Sequence, residues 1–334
     1  MQNVKNNTIF ITFIGFIILV AASYFSLKIG AYHFTVHSII HYLFSPDQSE
    51  LSIILHDIRL PRLLITILVG ASLAVAGAMM QGMTRNPLAS PSVLGVNAGA
   101  SFVVVLMTVL FPAVTGYLLI GSGFLGGLIS ASLIFMMSFV FKGGSIEVKI
   151  ALVGIAIQAL FSSATQSLLL FNEDSINKIL IWLAGMLAGT TWDDVRLLFP
   201  ISVTALIASF LLANSLSILA LGDDVAKGLG QRTILVKVLV TFLVVLLAGS
   251  TVATVGPIGF IGLIVPHLVR FLVGIDYRKI LPLSALFGAN LLLIADVLSR
   301  FISFPSETPV GIVTALIGTP YFIYLARKNK GKNV

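Results

Sequence analysis

The sequence predicts an all-α integral membrane protein with about ten transmembrane helices, on two observations. Hydrophobic residues make up 57% of the 334 and charged residues only 10%, against about 25% charged in an average soluble domain. A soluble chain of this composition would expose too much apolar surface to stay dissolved. The apolar runs are also continuous and about twenty residues long, the helical length that crosses a ~30 Å hydrocarbon core. In hydrocarbon each backbone N–H and C=O needs an internal partner, which leaves helices or a closed barrel. Barrel strands would alternate over segments of about ten residues, and these runs do not.

Ten spans fit the pattern in order. The first, 9–29, follows Lys5 and exceeds the 7–15-residue apolar core of a signal peptide. It is read as a retained span, although Ala21-Ala22-Ser23 loosely resembles a cleavage site. A polar connector from Tyr32 to Leu60 leads to 61–81, along which Gly70 and Gly77 lie, with Gly82 just beyond. The loop Asn86–Pro91 precedes 93–111, and Gly121, Gly123, Gly126 and Gly127 open 117–140. These glycines are expected at helix contacts, where small residues let backbones approach. Glu147 begins 147–171, where a carboxylate complements a helix N-terminus. The acidic segment Asn172–Asp194 carries Trp182 and Trp192 before 196–215. Gly256-Pro257-Ile258-Gly259 separates 234–254 from 257–272, Arg300 ends 281–300, and Pro309 opens 309–326 with Pro320 near its end. Irregular backbone at membrane depth survives only against protein or a water-filled cavity, so these breaks mark either a pathway or ordinary helix ends. Val153–Ala156 faintly echoes Val310–Val313, as an inverted repeat would.

Net charge is +7. With the N-terminus inside, fourteen of the twenty basic residues fall on the inner side and six on the outer, so both termini are predicted cytoplasmic. The same bias accounts for the basic balance without nucleic acid. Cysteine is absent, which removes disulfides and thiolate chemistry.

No enzyme motif or P-loop is present, so ATP could power this chain only through another subunit. No residue is assigned a catalytic or metal-ligating role. His33, His37 and His41 share a helical face that could hold a metal, though a solvated face explains them as well. His267 lies at the predicted inner edge. Asp296 is the best candidate for a coupling carboxylate within a span, with Glu307 at the mouth of the last, but Arg300 four residues on offers Asp296 a structural ion pair. An ion-coupled transporter would need more carboxylates at mid-membrane, and a membrane-embedded enzyme would need a convergent polar site.

Arg59, Arg62 and Arg300 fall on the predicted outer side, against the charge bias. An anionic ligand, an acidic partner or lipid phosphate would each account for them. On the inner side, Leu221 to Gly230 reads as a short amphipathic helix closed by glycines, with Asp223 and Asp224 in its first turn and Lys227 later, matching the helix dipole.

Several motifs together resemble the FecCD-type permeases of iron-siderophore, haem and vitamin B12 ABC importers. They are Arg59-Leu60-Pro61-Arg62; Gly70 through Gln81 to Arg85–Pro91, with Leu94-Gly95 and Gly99-Ala100; Gly222–Ala226 with Leu229-Gly230; Gly256–His267 with Arg270; and Ala295-Asp296 with Arg300, followed by Glu307–Pro320. The resemblance implies the vitamin B12 importer permease fold and a single transmembrane domain over 1–334, with a cytoplasmic coupling segment at about 217–232. It implies a prokaryotic cytoplasmic-membrane protein paired with a second permease, identical or paralogous, with two cytoplasmic ATPase subunits and with an extracytoplasmic substrate-binding protein. By position, Arg59, Arg62 and Arg300 would dock acidic residues of the binding protein. Gly222, Asp223, Asp224, Val225, Ala226, Lys227, Gly228, Leu229 and Gly230 would couple to the ATPase, and Gly154, Gln158, Pro309 and Gly311 would border the pathway. ATP and Mg²⁺ would serve the partner ATPase, with no cofactor on this chain. A ferric siderophore is the expected cargo, with haem or cobalamin the alternative. The pore walls are expected to be apolar and rich in small residues, specifying no chelate chemistry.

Overall fold

Continuous apolar runs become helices because every backbone polar group is then satisfied within its own segment, and the computed structural model has that architecture. It describes residues 2–330 apart from 31, 33, 93–94, 141–145, 171–175 and 305. His33, Leu94, Lys142 and Asn172 thus lie outside the described residues, as do the side chains of Lys5 and Glu147. The described elements are α1 (Gln2–Lys28), α2 (Val36–Phe44), α3 (Glu50–Ile53), a π-helical turn (Ile54–Arg59), α4 (Leu60–Thr84), α5 (Val96–Leu110), α6 (Tyr117–Val140) and α7 (Ile146–Leu170). They continue with α8 (Ile176–Leu183), α9 (Trp192–Leu211), α10 (Ala213–Leu219), α11 (Asp223–Gly228), α12 (Thr233–Val255), α13 (Ile261–Val273), α14 (Tyr277–Ile302) and α15 (Val310–Lys330). No strand occurs among the described residues.

Seven helical stretches are long and apolar enough to cross a membrane: α1, the continuous rod Glu50–Thr84, α6, α7, α9, α12 and α14. Three shorter apolar helices, Val96–Leu110, Ile261–Val273 and Val310–Ile323, stand where the other predicted spans fall. The chain is a multi-pass helical membrane protein. Its connectors hold more structure than their polarity suggests, since α2, α3 and the π turn occupy the stretch from Tyr32 to Leu60, and α8 lies between α7 and α9.

Local chemistry sets the helix ends. Thr35 and Ser49 accept from the amides of Ser38 (3.1 Å) and Ser52 (3.3 Å) at the starts of α2 and α3. Thr191 and Asp194 form a reciprocal capping box on α9, and Asp276 caps α14 by accepting from the Arg278 amide (3.0 Å).

The core is built around α4, nearly all of which is buried. Its most extensive neighbour is α14, with α12, α13 and α9 also against it. Small residues set these approaches: a Cβ on Gly70 would lie 2.4 Å from the Gly288 carbonyl oxygen, and one on Gly77 would lie 1.9 Å from that of Gly262. Gly123 meets Gly249 in the same way, at 2.7 Å. Dispersion between close backbones stands in for the hydrophobic drive that lipid removes. Gly121 departs from the expectation for its group, since a Cβ there would meet nothing within 4 Å. Large apolar side chains such as Phe10, Phe13, Phe16 and Phe271 point outward, as a lipid-facing surface requires.

Candidate functional site

Three backbone breaks converge within the bundle. Gly185, after α8, and Gly256, after α12, both have positive φ (78° and 76°), a region that favours glycine. The Met186 amide donates to the Val255 carbonyl (2.9 Å) and the Gly311 amide, at the start of α15, donates to the Gly185 carbonyl (3.1 Å). A Cβ on Gly256 would lie 1.9 Å from the Trp182 carbonyl oxygen, and one on Gly311 would lie 2.1 Å from that of Ala184. The backbones of three segments therefore touch directly. The break at Gly256–Gly259 is a packed junction as well as a helix end.

Two cavities open beside this junction and share Leu183 and Pro257 in their walls. One, of about 630 Å³, is mainly apolar and lined by residues including Ala184, Gly311, Ala315, Leu316 and Pro320. The other, of about 410 Å³, is lined by Ser92, Asn97, Ser101, Gln158, Ser162 and Gln166 among others. Gln158 and Gly311, two of the expected pathway residues, are thus brought to adjoining cavities. Gly154 is instead buried on α7 with its carbonyl against Gly95, and Pro309 accepts from the Ile312 amide (3.1 Å) at the opening of α15. Against the apolar walls expected of a pathway, the smaller of these two cavities carries amides and hydroxyls in its wall. The spacing Gln158, Ser162, Gln166, on one face of α7, was the sequence signal for it.

At one end of the bundle stand the three arginines, and they are not free. Arg59, Arg62 and Arg300 are 6, 7 and 7% exposed. Arg62 donates from Nε (2.9 Å) and Nη2 (2.7 Å) to Asp296 Oδ1, and from Nη1 to both Glu307 oxygens (2.9 and 2.7 Å). Arg300 pairs with the other oxygen of Asp296 and donates to the Ser26 and Ile29 carbonyls (both 2.7 Å). Arg59 donates to the carbonyls of Leu27 and Tyr32 and lies over the Phe34 ring (4.5 Å). The Tyr32 phenol in turn donates to Glu50 (2.6 Å), whose carboxylate raises the phenol pKa above its ordinary value. Each of the arginines expected to dock a binding protein thus has its head engaged in tying the ends of α1, α4, α14 and the residues before α15 together. The Asp296–Arg300 pair expected from their spacing is present, joined by two partners that local spacing could not reveal, Arg62 and Glu307.

At the opposite end, α11 spans Asp223–Gly228 with Gly222 as its N-cap (φ 122°) and Gly230 beyond its end (φ 79°). Only Ala226 and Gly222 in this segment are buried. Leu221, Val225 and Leu229 recur every fourth residue and are 59, 48 and 65% exposed. The segment is fixed by Lys237 Nζ to Asp223 (2.5 Å) and by the Gln231 amide group donating to the Ser215 carbonyl (2.8 Å). Nearby, Arg270 donates to Gln81 (3.0 Å) and to the Tyr277 hydroxyl (3.3 Å), and Gln81 bridges to the Gly262 and Leu263 carbonyls (both 3.3 Å). An added Cβ on Gly222 would lie 3.5 Å from the Arg85 guanidinium.

His37 and His41 stack in parallel at 6.3 Å on α2, and His267 meets Tyr321 edge-on at 6.1 Å. Among the described residues no group of three or more His, Cys, Asp or Glu is placed to hold a metal ion.

Broken helices bordering cavities, an ionic cluster at one end and an exposed apolar helix at the other define a helical membrane transport protein. The chain belongs to the FecCD transport family, whose model matches residues 17–328. It is 46% identical over 317 residues to the Fe(3+)-citrate import system permease protein YfmD of Bacillus subtilis, covering 95% of this chain and 94% of that one. It is 43% identical over 276 residues to the Fe(3+) dicitrate transport system permease protein FecC of Escherichia coli, covering 82% and 83%. Among solved structures it resembles a metal-chelate type ABC transporter in an inward-facing conformation, with a TM-score of 0.82, 33% identity and coverage of 95% and 98%.

Proposed function

We propose that this chain is the transmembrane permease subunit of an ATP-binding-cassette importer that carries ferric siderophore-type chelates across a prokaryotic cytoplasmic membrane. The observation that carries the reading is the exposed row Leu221, Val225 and Leu229 on and flanking the short helix α11, in a chain without a nucleotide-binding motif. An apolar row facing water asks for a partner cleft. The partner assigned to it is a cytoplasmic ATPase, which binds ATP and Mg²⁺ and moves residues 222–230 on closure. This chain then contributes no catalysis of its own.

The same orientation puts the arginine cluster outside, where a substrate-binding protein docks on the helix ends that Arg59, Arg62 and Arg300 hold in place. A second permease, identical or paralogous, completes the wall facing the two cavities. An ion-coupled mechanism is disfavoured because Asp296, the best coupling candidate, is held between two arginines. Iron-chelate cargo follows the relatives, whose names specify Fe(3+)-citrate and Fe(3+) dicitrate.

Co-purification with candidate ATPase and binding protein, followed by reconstitution and uptake of labelled ferric chelate, tests this reading. Uptake requiring both ATP and the binding protein is expected. Gradient-driven flux through the chain alone, with no ATPase bound, would overturn it.

A further inference from the structure

The 410 Å³ cavity is lined by uncharged hydrogen-bonding side chains from α5 and α7. Asn97 and Ser101, on α5, are 6 and 5% exposed, yet Asn97 Oδ1 and Ser101 Oγ have no hydrogen-bond partner. The Asn97 amide nitrogen is used, donating to Ser92 Oγ (2.9 Å), so its oxygen is fixed in orientation. Leaving a buried polar atom unpaired costs free energy, and such groups call for an explanation. Across the cavity, α7 presents Gln158, Ser162 and Gln166 along one face. Among the described residues, none lining this cavity is ionisable.

Those two properties, hydrogen-bonding capacity and absence of charge, define what fits. A bare ferric ion is a hard cation that takes ionised oxygen ligands, and none is here, so the wall addresses the chelator and leaves the metal coordination intact. Serine hydroxyls and glutamine amides donate to carboxylate, hydroxamate or hydroxyl oxygens. A conducting path needs sites favourable enough to enter and weak enough to leave. A charge-free wall meets that condition for an anionic complex, whereas a fixed cation would trap it.

Resting on the permease reading above, we propose that Gln158, Ser162 and Gln166 form a hydrogen-bonding subsite for the chelator oxygens of a hydrophilic ferric complex in transit. The permease itself then discriminates oxygen-rich chelates from apolar macrocycles, in addition to any selection by a binding protein.

The chain contains no cysteine, so Ser162→Cys reports the subsite directly. In the purified full-length chain, ferric citrate is expected to slow alkylation of this single thiol at least fivefold, and Gln158→Leu with Gln166→Leu in the same background to abolish the protection. Alkylation unchanged by ferric citrate would overturn the subsite. This readout needs neither ATPase nor binding protein, so protection without ATP-driven uptake would refute the importer reading and leave the subsite standing. In the reconstituted transporter, the leucine pair is expected to lower ferric citrate uptake per ATP about tenfold. Gln158→Asn with Gln166→Asn, which keeps the amides, should stay within threefold of the wild type. Equal loss in both pairs would show that side-chain shape acts there and would overturn the hydrogen-bonding assignment.

Discussion

Replacing Asp296 with asparagine isolates what the arginine cluster contributes. The carboxylate is fully buried and serves two guanidiniums at once, Arg62 through Oδ1 and Arg300 through Oδ2. Asparagine keeps the volume but removes the charge and offers one acceptor oxygen where there were two. Arg62 then retains Glu307, and Arg300 retains the Ser26 and Ile29 carbonyls, while two buried cations face each other with less compensation. Removing one partner of a buried pair costs about 3–5 kcal/mol, because an unpaired charge stays behind. Glu307→Gln is the internal comparison, since that side chain is 35% exposed. Solvent screens the pair, and its loss is expected near the surface-pair range of about 0–1 kcal/mol. Equilibrium denaturation of both variants in mixed micelles measures the difference, and a double-mutant cycle of Asp296→Asn with Arg300→Met apportions the shared term. A loss below about 1 kcal/mol for Asp296→Asn, or one no larger than that of Glu307→Gln, would refute the claim that this network fastens α1, α4 and α14.

Gly256→Ala should disrupt the junction by more than about 2 kcal/mol, combining a left-handed backbone with a Cβ 1.9 Å from a carbonyl oxygen. Gly259→Ala, whose Cβ would meet nothing within 4 Å, should be tolerated, and thermal unfolding of the two in detergent separates them. Val225→Asp with Leu229→Asp places charge on the exposed face of α11 and should abolish ATPase co-purification while leaving thermal stability within a few degrees; retained association would show that this face is not the docking surface. Charge reversal of Arg59, Arg62 and Arg300 together should appear first as lost folding yield, because all three are buried. A well-folded triple variant with only a salt-dependent docking defect would instead support direct docking by these guanidiniums.

Composition and run length made the helical membrane fold legible, because hydrocarbon imposes one solution on continuous apolar sequence. The short helices were harder to delimit. α5 has 15 residues and α13 has 13, and both start beside turns within the bundle, where hydropathy does not change. Likewise α8, of eight residues, lies in a stretch whose polarity reads as connector. α11 was legible because glycines bound it and its charges follow the dipole. The arginines were visible but their environment was not. Arg62 lies 234 residues from Asp296 and 245 from Glu307, and charge bias reports only the side of the membrane. Local spacing exposed the Asp296–Arg300 pair because four residues on a helix suffice to bring them together. The polar face of α7 carried the same kind of signal, obscured by its apolar neighbours Ile155 and Leu160.

The distribution of close backbone contacts argues where this protein can move. α4 meets α14 at Gly70–Gly288 and α13 at Gly77–Gly262, and the same helices are cross-linked at one end by Arg62–Asp296 and near the other by Gln81–Arg270. Interlocked backbones with an ion pair at one end and a side-chain hydrogen bond near the other behave as one body, since sliding either helix would break contacts along its whole length. The cavities lie outside that body, between α5, α7, α8 and α15, beside the Gly185–Gly256–Gly311 junction. There few side chains intervene and the torsions are already those of glycine. Under the transport reading proposed above, a change in access would concentrate at this junction, with α15 and α8 shifting against α12 while α4, α13 and α14 keep their packing. The arrangement also gives the coupling role proposed for α11 a physical route. It is joined to α12 through Lys237–Asp223, and α12 ends at Gly256, so a force on the short helix is delivered along one rod to the junction beside both cavities.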